Sequence, residues 1–272
     1  LTYYGRWTYK FEEAARRGAK AAVIIHTTPT ASYGWEVVRS SWGREDPQVK
    51  RGTAEPALAF AGWVTMESGN RLLAMAGRTV EELLKAADTR GFQPFALGIR
   101  ISGRLESALR EIETENVVAM IEGSDPKLKA EAVVFSAHWD HLGVGEAVDG
   151  DRIYNGAVDN ATGCAMVIEI ARAWMSLPQK PRRSAIFLFV TAEEGGLRGS
   201  EYFGQHPAIP IGKIALNLNF DAFYPFGRTS DTSVSGAERT TVWPIVQEAA
   251  KRFNLVIKPD PRPEQGSYYR SD

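Results

Sequence analysis

Ala132-Val-Val-Phe-Ser-Ala-His-Trp-Asp140 is the stretch on which the fold turns, an apolar run that ends in a histidine and a carboxylate. Its first four residues are near-continuously apolar, as expected of a strand covered on both faces. Val117-Val-Ala-Met-Ile121, Ala185-Ile-Phe-Leu-Phe-Val190 and Ile214-Ala-Leu-Asn-Leu218 read the same way. Between the runs at 132 and 185 lies a helix of about four turns. Ala161, Cys164, Ala165, Ile168, Ala171 and Met175 form its apolar stripe, and Pro178 lies beyond its end. A further helix spans Val242 to Phe253. Strands alternating with helices predict an α/β fold, with a mostly parallel central sheet and helices on both faces.

Toward the amino terminus, Phe11-Glu-Glu-Ala-Ala-Arg-Arg-Gly18 reads as a helix stopped by glycine, and Ala21-Ala-Val-Ile-Ile25 as a buried strand. From Thr27 to about Pro56 the chain is polar and aromatic, with Tyr33, Trp35 and Trp42, and reads as a long loop. Helical spacing returns from Glu67 to Ala87, interrupted at Gly77. The polar link Asp88-Thr-Arg-Gly-Phe-Gln-Pro94 then leads to a strand around Leu97-Gly-Ile-Arg-Ile101. A domain boundary falls in this link, dividing the chain into 1–92 and 93–272.

The 272 residues, 44% hydrophobic and 24% charged, supply one large core or two modest ones. With 32 Lys and Arg against 33 Asp and Glu, the net charge of −1 gives no reason to expect nucleic acid or an anionic membrane as partner. A small or neutral substrate fits better. The single Cys164 excludes an intrachain disulfide and reads as a core filler. No run approaches the roughly 18 apolar residues of a membrane span. The chain starts at Leu1 rather than methionine, which reads as a processed, trimmed or excerpted product.

Four short groups carry the chemistry: Ser136-Ala-His-Trp-Asp140, Ala157-Val-Asp-Asn160, Thr191-Ala-Glu-Glu194 and Asn219-Phe-Asp221. Each stands where an apolar run stops or a helix starts, where an α/β sheet offers side chains to a ligand crevice. Strand alternation sets His138 and Asp140 on one face, so that His138 can bind a cation while Asp140 orients its ring. Asp159 precedes a helix; Asp149 and Asp151, in a Gly-rich loop, compete with it as ligands. Asp159 is preferred because Gly156 and Ala157 permit close approach. Glu193 and Glu194 diverge as neighbours, so one can bind metal while the other moves protons. Asn219 stands beside Asp221 as a hydrogen-bonding partner. Trp139 and His141 read as packing or rim residues. Carboxylates with imidazole suit zinc, with manganese or cobalt as substitutes, and the set reads as a binuclear metal site.

This series resembles the co-catalytic di-zinc aminopeptidases, a metallopeptidase family that also contains glutamate carboxypeptidase, glutaminyl cyclase and the transferrin receptor. The resemblance covers roughly Asn116 to the end. Ala14-Ala-Arg-Arg-Gly-Ala-Lys-Ala-Ala-Val-Ile-Ile25 is similar to the protease-associated domain that often accompanies such catalytic domains. The resemblance implies a zinc exopeptidase-like catalytic domain, with a smaller α/β protease-associated domain before it. It implies that His138 and Asp221 bind one zinc, Glu194 the other, and that Asp159 bridges them. Glu193 would be the general base toward a metal-bridged water, and Asp140 would steer His138. A cis peptide after the bridging aspartate and a secreted or periplasmic location are also implied.

In this family the second zinc takes a final histidine from a segment resembling Ser267-Tyr-Tyr-Arg-Ser-Asp272, where the given sequence stops. The expectation is therefore a carboxy-terminally incomplete catalytic domain that holds at most one zinc tightly, with its tail from about Pro259 poorly anchored. Tyr268 or Tyr269 would help bind the oxyanion. The expected function is a zinc-dependent exopeptidase, an aminopeptidase acting on peptide substrates. Its rivals are a glutaminyl cyclase-like acyl transferase using one zinc and a non-catalytic, receptor-like binding module of the same fold.

Overall fold

The computed structural model describes residues 3–31, 33–43, 45, 47–50, 56–224, 227–261, 268 and 270–272. Its contacts divide the chain into two compact units, Leu1–Asp46 with Arg51–Glu111, and Pro47–Lys50 with Ile112–Asp272.

The first unit runs α1 (Trp7–Arg16), β1 (Ala21–Ile25), α2 (Thr28–Ala31), α3 (Trp35–Trp42), β2 (Phe60–Val64), α4 (Met66–Ala74) and α5 (Val80–Ala87). β1 and β2 pair in parallel. Thr65 and Thr79 start α4 and α5, each hydroxyl oxygen accepting the amide three residues on, from Ser68 and Glu82. Gly77, at φ 67°, makes the left-handed turn between these helices.

Two expectations are corrected here. The region from Thr27 to Pro56 is not one loop, because Trp35, Val38 and Trp42 recur at helical spacing on α3. Val38 is buried, and Trp42 meets Trp7 edge to face at 4.4 Å, so these residues build the core of this unit. The strand expected around Leu97–Ile101 is absent. Residues 92–116 carry no regular secondary structure, and Ile101 is 72% exposed. Alternation alone does not make a strand where no neighbour takes up its amides and carbonyls.

The second unit contains β3 (Val117–Ile121), β4 (Ala132–His138), β5 (Gly143–Val148), β6 (Asp151–Tyr154), α6 (Thr162–Ser176), β7 (Ser184–Val190), α7 (Arg198–Gln205), β8 (Ile214–Asn219), β9 (Asp231–Thr232), α8 (Trp243–Arg252) and β10 (Val256–Ile257). Its central sheet has the order β3-β7-β4-β8. β4 is parallel to both β7 and β8, whereas β3 is antiparallel to β7. The sheet is mixed, which corrects the mostly parallel arrangement expected from apolar runs that do not encode direction.

Both faces of β4 and β7 are covered. Ala132, Val134, Ile186, Leu188 and Val190 pack with Phe203 of α7. Phe135, Ala137, Ala185 and Phe187 pack against Val167 of α6, joined by Cys164, Ile170, Ala171 and Trp174. The apolar stripe of α6 is therefore centred on Gly163, Val167, Ile170, Ala171 and Trp174. Of the residues expected there, Ile168 is 51% and Met175 71% exposed. Cys164 is the core filler its context predicts. Among the described residues no helix is long and apolar enough to cross a membrane.

Candidate metal centre

Because β4, β7 and β8 run parallel, their carboxyl ends share one edge, and the chain leaving each strand there delivers the polar groups. β4 contributes His138 as its last residue, and β8 leads through Asn219 to Asp221. β7 leads into a tight loop carrying Glu193 and Glu194. Asn116 clips this loop, its carbonyl oxygen accepting the Thr191 amide at 3.1 Å and its amide donating to the Gly199 carbonyl at 2.8 Å.

The fourth contribution comes from the π-helical segment Ala157–Ala161 before α6, where Asp159 and Asn160 leave helical geometry. The Asp159–Asn160 peptide bond is cis, as the resemblance implied. Asn160 is buried and ties this segment to the end of β8. Its side-chain oxygen accepts amides of Gly163 and Ala222 at 3.0 and 3.2 Å, and its nitrogen donates to the Phe220 carbonyl at 2.9 Å. Gly163 is required for this closeness, since a Cβ there would lie 2.2 Å from the Asn160 side-chain oxygen.

Asp149 and Asp151, the competing ligands, belong to the β5–β6 hairpin. Asp149 and Gly150 form its two-residue turn, with φ of 52° and 88°. The Asp151 carboxylate accepts the Ile153 amide. Asp-Gly is the strongest short hairpin signal and was legible in the sequence.

The expected residues converge as follows. His138 is 1% exposed. Its Nδ1 donates to the main-chain carbonyl of Asp140 at 3.1 Å, which turns Nε2 toward Asp159 Oδ1 at 3.0 Å and Asp221 Oδ1 at 3.3 Å. Asp140 thus steers the ring by its carbonyl, while its carboxylate lies 3.8 Å from Nδ1. That carboxylate accepts the Glu193 and Glu194 amides at 3.0 and 3.3 Å, so it shapes the loop holding both glutamates.

His141, read from sequence as a rim residue, has its Nδ1 2.6 Å from Glu194 Oε1. It lies on the irregular chain just past β4, where strand alternation no longer predicts direction. Gly156, at φ 68°, admits it: a Cβ there would come 2.8 Å from the His141 Cβ. Two three-residue groups result, His138 with Asp159 and Asp221, and His141 with Asp159 and Glu194, each with potential ligand atoms within 4.8 Å of one another. Asp159 belongs to both.

The chemistry of these groups fits a cation. Asp159 Oδ1 is buried without a hydrogen-bond partner among the described residues, although His138 Nε2 is 3.0 Å away. Burial disfavours a charged His138 ring, but the hydrogen bond to Asp221 and the charges of Glu193 and Asp221 outweigh it and raise the pKa to about 9. Asp221 is held below its ordinary value by its bond to His138. Glu193 is pushed up to about 8 by burial; His138 opposes this, while Asp272, Asp221 and Glu194 add to it. A bound dication would supply the positive charge that this cluster draws from a proton.

The carboxy-terminal tail reaches the same edge. Ser271 Oγ donates to Asp221 Oδ2 at 2.5 Å, and Asp272 Oδ1 is 2.5 Å from Ser200 Oγ of α7. This corrects the expectation of a poorly anchored tail at its last two residues. Tyr268 lies over Gly236 and under the Arg239 guanidinium, 5.2 Å from the ring centroid. Tyr269 falls outside the described residues. A cavity of about 370 Å³, bordered by Trp139, His141, Tyr154 and Cys164, opens beside Asp140.

The model of peptidase family M28 matches residues 116–272. The chain is 37% identical over 110 residues to a probable leucine aminopeptidase 2 of Aspergillus oryzae, covering 40% of this chain and 19% of that protein. A vacuolar membrane protease of Lachancea thermotolerans is 29% identical over 144 residues, covering 52% of this chain and 14% of the relative. The chain thus spans less than a fifth of the length of these relatives. Among solved structures, a zinc aminopeptidase from Bacillus subtilis superposes with a TM-score of 0.41 at 24% identity, covering 56% of this chain and 37% of its own. A Porphyromonas gingivalis glutaminyl cyclase gives 0.40 at 17% identity, covering 57% and 59%.

Proposed function

The chain belongs to peptidase family M28, and from that premise we propose that it acts as a zinc-dependent exopeptidase, an aminopeptidase removing amino-terminal residues from peptides. The observation that carries this reading is the sharing of Asp159 between two three-residue donor groups. His138, Asp159 and Asp221 would hold one zinc, and His141, Asp159 and Glu194 the other. Zinc held there supplies Lewis acidity toward the scissile carbonyl and toward water.

The chain's own residues supply the rest. Glu193, held beside the two donor groups by the Asp140 carboxylate, takes a proton from water and returns it to the leaving amine. Asp140 holds the Glu193 and Glu194 amides and, through its carbonyl, the His138 ring. The first unit is read as a protease-associated domain and a secreted or periplasmic location is proposed; both rest on the sequence resemblance alone.

Zinc titration of the chain, followed by assay against aminoacyl fluorogenic substrates and a glutaminyl peptide, tests the reading. His141 completes the second donor group, so two equivalents of zinc are expected in place of the single tight one read from the sequence, with zinc-dependent release of amino-terminal residues. One equivalent with conversion of the glutaminyl peptide to its cyclic form would replace it with a cyclase. Failure to bind zinc would leave a non-catalytic module.

A further inference from the structure

We propose that Ser271 is a positioning residue for Asp221, fixing which carboxylate oxygen that residue presents to a cation; the inference rests on reading His138, Asp159 and Asp221 as a metal site. Three contacts form one chain. Ser136 Oγ lies 2.9 Å from Asn219 Oδ1, Asn219 Nδ2 lies 2.8 Å from Ser271 Oγ, and Ser271 Oγ lies 2.5 Å from Asp221 Oδ2.

Donor and acceptor capacities allow one direction through this chain. An ionised carboxylate only accepts, so the single hydroxyl proton of Ser271 goes to Asp221. The Ser271 oxygen must then accept, so the NH₂ side of Asn219 faces it. The Asn219 side-chain oxygen is left to accept from Ser136, whose single hydroxyl proton it shares with the Asn217 side-chain oxygen at 3.0 Å. Ser136 is 1% exposed in the middle of the sheet, so the chain begins on a rigid point.

The consequence falls on Asp221. Its Oδ2 is engaged by Ser271 while Oδ1 faces His138 Nε2 at 3.3 Å, so one oxygen is presented and the other withheld. Without the Ser271 hydroxyl, Oδ2 loses its partner and the carboxylate is free to turn about its last torsion. Ser271 is 50 residues from Asp221 in sequence, and no local motif announces it.

The test is zinc affinity of the whole 272-residue chain, measured by competition with a chromophoric chelator, for the parent, Ser271→Ala, Ser271→Thr and Ser200→Ala. Thermal unfolding of the zinc-free proteins accompanies it. Ser271→Ala should weaken the tighter zinc equivalent by about 10–100-fold, the cost typical of partners that orient ligands. Ser271→Thr, which keeps the hydroxyl, should stay within about threefold of the parent, since the hydrogen bond is retained. Ser200→Ala removes the neighbouring tail contact to Asp272 without touching Asp221 and should also stay within about threefold.

Parental affinity in Ser271→Ala overturns the inference and leaves the metal reading intact. Equal weakening in Ser271→Ala and Ser200→Ala also overturns it, since tail docking rather than the hydroxyl would then matter. So does weakening in Ser271→Thr as large as in Ser271→Ala. A parent chain that binds no zinc overturns the metal reading and this inference with it.

Discussion

His26 and His138 are both buried, 4% and 1% exposed, yet they meet entirely different neighbours. His26, in the first unit, lies among aromatic rings: it stacks on Tyr33 at 5.5 Å and meets Trp35 and Trp63 at 5.8 and 6.4 Å. Neither of its ring nitrogens has a hydrogen-bond partner among the described residues. His138, in the second unit, has a carbonyl on one nitrogen and two carboxylates before the other. Burial of an imidazole therefore says little about function. The groups facing its nitrogens decide whether the ring fills space or offers a lone pair to a cation.

The sharpest way to break this contrast is to remove His138. His138→Ala should weaken the tighter zinc equivalent by more than the roughly 10–100-fold that an orienting partner costs, because a direct donor is lost. Equilibrium dialysis with zinc quantifies the loss, and retained parental affinity would refute the ligand assignment.

The two glutamates should fail differently. Glu193→Gln should keep both zinc equivalents while lowering kcat at least about a hundredfold, since shape is preserved and proton transfer is lost. Glu194→Gln should instead lose the second equivalent. Metal analysis paired with steady-state kinetics separates them, and near-parental turnover in Glu193→Gln would remove its assigned role.

Asn160 is the scaffold beneath the carboxylates. Asn160→Ala strands the Gly163 and Ala222 amides and the Phe220 carbonyl, at a cost to stability of about 2–4 kcal/mol. Urea denaturation of the zinc-free chain measures it. A loss below about 0.5 kcal/mol would show that those groups find other partners.

His26→Phe is the counterpart of His138→Ala and should have a small effect. Replacing an unpartnered buried ring with an apolar one of similar shape should shift stability by less than about 1 kcal/mol, toward greater stability, with zinc affinity unchanged. Loss of more than about 2 kcal/mol on urea denaturation would mean that the His26 nitrogens are satisfied after all.

The smallest effect concerns Asp125, a carboxylate satisfied by the chain itself. The Leu128 amide, Arg182 and the Lys127 amide lower its pKa from 3.8 to about 2. Its folded pKa is depressed, so its stabilising effect is fully present above the unfolded value and is lost as pH falls through about 2. The difference in melting temperature between the parent and Asp125→Asn should therefore shrink from pH 4 toward pH 2, the window set by those two values. A difference independent of pH would exclude this linkage.

The order of β3, β4, α6, β7, β8 and α8, and the placement of His138, Asp159, Glu193, Glu194 and Asp221 at element ends, were legible because apolar runs and their polar ends are local features; α7, β9 and β10 were not. The break at Gly77 and the strand at Ala21–Ile25 were equally local. The β5–β6 hairpin also has a local signal, Asp149-Gly150 at its turn, within a stretch whose glycines read as a loop. What tertiary structure alone decided depends on chain direction and on contacts between distant residues. The antiparallel pairing of β3, the turn of His141 toward Glu194 and the use of the Asp140 carbonyl on His138 have no periodic signature. Nor does the clamp from Asn160 to Phe220, or the hydroxyl of Ser271 on Asp221. Hydrophobic periodicity reports which face of an element is buried, whereas a metal-ligating geometry depends on where irregular chain between elements carries individual polar atoms, and only the folded sheet brings those ends together.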